Sequence, residues 1–125
     1  MPIGKLVACN PERGDTMKIK KYSESPPINE VEGVTKREVI TGEDGAPNFC
    51  MRVFEVEPGS STPAHSHPWE HEIFILSGQG MVLGDEGTIP IAGDSVVFVP
   101  PNEHHCFVNT GNELLKIICV IPHTP

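Results

Sequence analysis

Five of the six histidines in this chain fall in two short stretches: His65, His67 and His71 in the first, His104 and His105 in the second. Imidazole is the commonest protein ligand for divalent transition ions, so this clustering points to a metal. His65 and His67 are separated by one residue, which puts both rings on the same face of an extended strand; a ligand pair therefore needs no helix. Beside His71 stands Glu72, a candidate of different chemistry. Adjacent side chains of a regular strand point to opposite faces, so His71 and Glu72 cannot both enter one site. His123, next to Pro122, reads as an exposed tail residue and is not counted as a ligand.

The elements that must hold these residues are short. From Gly33 onward, β-rich runs (34–41, 48–57, 72–76, 81–83, 88–91, 95–99, 106–109 and 114–121) alternate with turn clusters such as Gly42–Gly45, Ser77–Gly80 and Gly84–Gly87. No long segment sustains a 3.6-residue period, and 12 glycines and 13 prolines are spread along the chain, so an antiparallel all-β sandwich or barrel is expected. Period-two alternation then assigns faces. Lys116 in water puts Leu115, Ile117, Cys119 and Ile121 inside; His71, Ile73 and Ile75 share one face while Glu72, Phe74 and Leu76 take the other; Phe107 shares the face of His105.

At 125 residues the chain suits one domain, a barrel over 33–125 preceded by an N-terminal arm over 1–32. Its net charge of −8 argues against nucleic acid, and no stretch is apolar enough to cross a bilayer. The N-terminus lacks the apolar run of a signal peptide, which predicts a cytoplasmic protein. Cys9, Cys50, Cys106 and Cys119 are far apart without CxxC spacing, so free thiols are expected, the last three as small apolar fillers. Arg52, with Phe54 beside it in spacing, either contacts a ligand or, the favoured reading, is a salt-bridged surface residue, and Trp69 either shapes the barrel mouth or belongs to a loop packed beside it.

Gly59, His65-x-His67 with a ligand type three or four residues on, and then Gly93-Asp94, Pro100-x-Asn102-x-x-His105 and Asn109, resemble the two motifs of the cupins. The resemblance covers roughly residues 33–121 and implies a double-stranded β-helix, or jelly-roll, barrel. Asn102 stands where the family usually has Gly, a mild change because Asn tolerates a left-handed turn. Spacing from Pro100 and to Asn109 favours His105 over His104 as the motif-two ligand. The wording around Ala46–Phe49, Val56–Gly59 and His65–Phe74 is similar to small single-domain cupins that bind manganese through four histidines. Carried over position by position, that resemblance implies His65, His67, His71 and His105 as metal ligands, with Glu72 the alternative fourth ligand. Manganese is the implied ion, with iron, nickel, zinc and copper as alternatives.

Four neutral ligands leave the divalent charge undiminished, which favours Lewis acidity and disfavours the higher oxidation state. An apolar interior around Ile73, Ile75, Phe107 and Ile117 suits a small organic molecule, and no second titratable pair stands ready for hydrolysis. The function expected is a metal-dependent oxidoreductase, dioxygenase-like, acting on a small-molecule substrate. The alternatives are a non-catalytic small-molecule or metal-binding protein and a metal-dependent isomerase. Cupins are frequently dimers, so a homodimer is expected, with the arm as the element that crosses to the partner barrel.

Overall fold

A computed structural model describes residues 16–123. Cys9 and the first part of the expected arm lie outside the described residues. Among the described residues nine strands form two antiparallel sheets: β1 (Ile28–Val31), β2 (Val34–Ile40), β3 (Phe49–Val56), β4 (His71–Ser77), β5 (Gln79–Gly84), β6 (Gly87–Ala92), β7 (Val96–Val99), β8 (Cys106–Asn109) and β9 (Leu115–Pro122). The larger sheet runs β1-β2-β3-β9-β4-β7 and the smaller β6-β5-β8, the two sheets of a jelly roll. No helix among the described residues is long and apolar enough to cross a membrane.

The alternation that assigned faces holds in the two strands where it was sharpest. In β9, Leu115, Ile117, Cys119 and Ile121 are buried, with each intervening residue partly exposed. In β4, His71, Ile73 and Ile75 are buried while Glu72, Phe74 and Leu76 are exposed. The apolar members of this inward set join Val34, Val56, Val82, Ile91, Val99 and Phe107 in one core between the sheets. Cys106 is buried as well, away from that cluster.

One strand went unforeseen. β1 pairs with β2 at the sheet edge, and all four of its residues are exposed, so it carries no period-two signature. The described part of the arm is held to its own barrel: Arg37 donates to the carbonyls of Ser23 and Ser25 at 3.0 and 2.7 Å, and the Tyr22 hydroxyl donates to Glu55 at 2.7 Å. Asn102 takes the left-handed conformation expected of it, with φ of 73°.

Two loops complete the platform for the histidines. The segment between β3 and β4 lies along β8, where Thr62 N donates to Phe107 O at 2.9 Å and Phe107 N donates to Thr62 Oγ1 at 2.9 Å. Below it, Asn109 is fully buried. Its amide donates to the carbonyls of Val56 and Glu113, each at 2.7 Å, and its Oδ1 accepts from Gly111 N at 2.9 Å.

Candidate metal centre

His65 and His105 are direct neighbours across the chain. Each backbone N–H donates to the other's carbonyl, at 3.2 and 3.0 Å, so residues forty positions apart become one antiparallel pair. His67 follows two residues on, its carbonyl accepting from Asn102 N. His71 opens β4 and points inward with Ile73.

Four rings consequently meet at one end of the barrel. The centroids of His65 and His67 lie 4.3 Å apart, those of His71 and His105 4.9 Å, His67 and His71 5.4 Å, and His65 and His105 5.5 Å. All four line a cavity of about 440 Å³ whose deeper wall is Phe54, Ile73, Phe107 and Ile117. Glu72 is exposed on the opposite face of β4, its carboxyl pushed up by a hydrogen bond with Glu70. His104 and His123 are exposed and line no part of this cavity. No group of three His, Cys, Asp or Glu side chains among the described residues is already set in ligating geometry.

The environment favours neutral imidazoles. Desolvation, followed by the charge of nearby groups including Arg52, lowers the pKa of His65 and His67 and takes that of His71 down to about 4 from 6.5. The Nδ1 of His105 lies 2.9 Å from the Glu103 carbonyl, which can only accept, so Nδ1 carries a proton and Nε2 is the nitrogen left for a metal. Among the described residues His71 Nδ1 has no hydrogen-bond partner although it is buried, an uncommon state for a buried polar atom.

The shift at His71 has a consequence for the metal-free protein. Between pH 6.5 and about 4 the unfolded chain binds a proton there that the folded chain does not, so stability declines as pH falls through that window and is fully present above it. The lowered values at His65 and His67 act in the same direction. The urea midpoint of metal-free protein should drop steadily from pH 7 to pH 4.5, and the slope should shrink in His71→Gln. Equal slopes in the two proteins would contradict this.

Four further residues line the same cavity: Arg52, Cys119, Trp69 and Glu30. Arg52 is no surface ion-pair residue: it faces the cavity from β3, opposite Cys119, and donates to its Sγ at 3.2 Å. Cys119 is buried as expected but forms cavity wall, and burial pushes its thiol pKa up. Trp69 stacks on His67, with centroids 4.5 Å apart and planes within 7° of parallel, and packs against the core. Glu30, on the unforeseen β1, reaches the same cavity and is paired with Lys36 at 2.9 Å. Cys50 and Cys106, like Cys119, are free thiols.

Residues 52–121 match the family model described as "Cupin domain". Over 68 residues the chain is 38% identical to the oxalate-binding protein of Thermotoga maritima, a match taking in 54% of this chain and 56% of that protein. Over 77 residues it is 32% identical to auxin-binding protein 1 of Arabidopsis thaliana, taking in 54% of this chain and 39% of that one. The chain thus spans well under two thirds of either relative. Among solved structures it is similar to the polyketide cyclase RemF from Streptomyces resistomycificus, with 32% identity, a TM-score of 0.80, and coverage of 87% of this chain and 81% of that one.

Proposed function

The chain belongs to the cupin family, and on that footing we propose that it holds a divalent transition metal, manganese or iron, through His65, His67, His71 and His105, and works as a cytoplasmic, dioxygenase-like oxidoreductase on a small organic molecule. The observation that carries this is the convergence of four imidazoles at the mouth of an apolar cavity. Rings bound at about 2.1 Å to one ion have centroids roughly 4.6 Å apart at right angles and roughly 5.3 Å apart at tetrahedral angles, against 4.3 to 5.5 Å between neighbouring rings here. Small rotations of the rings would bring their nitrogens onto a shared centre. The unpartnered Nδ1 of His71 and the tautomer fixed at His105 fit such a role.

The ion, when bound, supplies Lewis acidity and exchangeable positions for substrate and dioxygen. The protein's own residues do the rest. Phe54, Ile73, Phe107 and Ile117 exclude water and take the apolar part of the substrate. The Glu103 carbonyl holds the His105 ring, and Trp69 holds the His67 ring by stacking. Glu30 is engaged by Lys36, which leaves no free acid–base pair for hydrolysis and favours chemistry carried by the ion. The likeness to a polyketide cyclase supports catalysis on an organic molecule.

A second reading, a protein that binds a small molecule without turnover, is favoured by the two relatives named as binding proteins. Oxygen uptake after reconstitution with Mn(II) or Fe(II), measured across a panel of small organic acids, separates the two. Uptake that needs both metal and acid supports the oxidoreductase. Thermal stabilisation by an acid with neither uptake nor product supports the binding protein, and product without uptake points to the isomerase.

The proposed homodimer has a candidate surface. Phe74, Val96 and Phe98 are 37, 76 and 61% exposed and adjoin one another across β4 and β7, with Leu76 beside them, an apolar patch on the outer face of the larger sheet. The arm, held to its own barrel over its described residues, is the weaker candidate. Val96→Asp with Phe98→Asp should yield monomer in sedimentation velocity, and an unchanged dimer would place the interface elsewhere.

A further inference from the structure

The cavity holds a positive charge that its walls do not neutralise. Among the described residues Arg52 makes no ion pair: its Nη2 is directed at a thiol, its guanidinium carbon lies 5.2 Å from the Phe54 ring centroid, and its Nε is buried without a partner. Trp69 Nε1, on another segment lining the same cavity, is also buried without a partner. Among the described residues the cavity's one carboxylate, Glu30, is engaged by Lys36, so the neighbourhood stays cationic in a chain of net charge −8. Charged donors inside a protein are normally paired, and a guanidinium in the cavity wall with no carboxylate of its own calls for an anionic acceptor that arrives with the ligand.

We infer that Arg52 is the anion anchor of this cavity, and that the ligand is a small organic carboxylate whose apolar body rests against Phe54, Ile73, Phe107 and Ile117. A guanidinium presents paired donors in one plane, the geometry a carboxylate accepts, whereas a thiol is a weak acceptor that a carboxylate displaces at little cost. A cavity of about 440 Å³ suits a molecule of this size and excludes a macromolecule. The selection acts through charge: a neutral isostere of equal shape gains the apolar contacts and leaves Arg52 unpaired.

The inference deepens the reading of the same cavity without depending on the metal, and the experiment keeps the two apart. Trp69 is the chain's single tryptophan, so intrinsic fluorescence reads the cavity directly. Metal-free and Mn(II)-loaded protein are titrated with acetate, hexanoate and benzoate, each against its own amide. At least one acid should bind metal-free protein about 10- to 100-fold more tightly than its amide, the range of a charge-assisted hydrogen-bonded pair. Arg52→Gln should abolish the preference and Arg52→Lys retain part of it, while both keep the wild-type manganese content by elemental analysis. Acids and amides binding alike, no acid binding to folded wild type, or a preference surviving in Arg52→Gln would each overturn the assignment. Loss of manganese from His71→Ala with the acid preference intact in metal-free protein would leave it standing whatever becomes of the oxidoreductase reading.

Discussion

Protein carrying His71→Ala and purified without nickel affinity should lose most of its bound metal, while Glu72→Ala should keep it. The difference comes from which way each side chain leaves β4. His71 is 4% exposed and its ring lies within 5.4 Å of both His67 and His105; Glu72 is exposed on the far face, hydrogen-bonded to Glu70. Removing one of four imidazoles takes away a strong donor from a site whose cavity carboxylate, Glu30, is engaged by Lys36, and the expected loss of affinity is on the order of 100-fold or more. Elemental analysis of both variants and wild type decides the matter. Metal retained in His71→Ala and lost in Glu72→Ala would mean that β4 binds with the opposite face inward.

The second large effect concerns stability. Asn109→Ala removes both donors that satisfy the Val56 and Glu113 carbonyls and the acceptor that turns the chain at Gly111. Val56 is fully buried, so its carbonyl has no route to water, and leaving it unpaired costs about 1–3 kcal/mol, with a smaller cost at the exposed Glu113. A total of about 2–4 kcal/mol is expected from urea unfolding. Asn109→Asp should be no better near neutral pH, because a carboxylate offers only acceptors to two carbonyls. The exposed neighbour Thr110, changed to Ala, should stay within about 0.5 kcal/mol. An Asn109→Ala protein as stable as wild type would remove this residue from the framework.

Much of this was legible before any coordinates, for reasons that differ by residue. β9 and β4 each have one buried and one wet face, so Lys116 and Glu72 mark the phase of their strands and the inward set follows. That same phase separated His71 from Glu72. The family motifs supplied what periodicity cannot, the meeting of His65 and His67 with His105. β1 escaped because an edge strand with four exposed residues has no contrast between its faces. Arg52 escaped because β3 is partly covered on both sides, and a lone arginine amid weak alternation looks like surface. A signal was present nonetheless: Cys119 was assigned inward, and the antiparallel register of β3 with β9 sets Arg52 directly opposite it. Pairing strands before judging single residues would have turned Arg52 inward. Trp69 was left between two readings because it lies in a loop, where no period applies.

The reciprocal hydrogen bonds between His65 and His105 fix how far apart those residues sit, and the chain that joins them has no say in it. Spacing at the centre is therefore decoupled from events at remote hairpin tips. Gly45, where a side chain would meet open space, is one such tip. A barrel arranged this way can lengthen, shorten or exchange its outlying turns, and so acquire new neighbours at its periphery, while the geometry at its mouth is inherited unchanged.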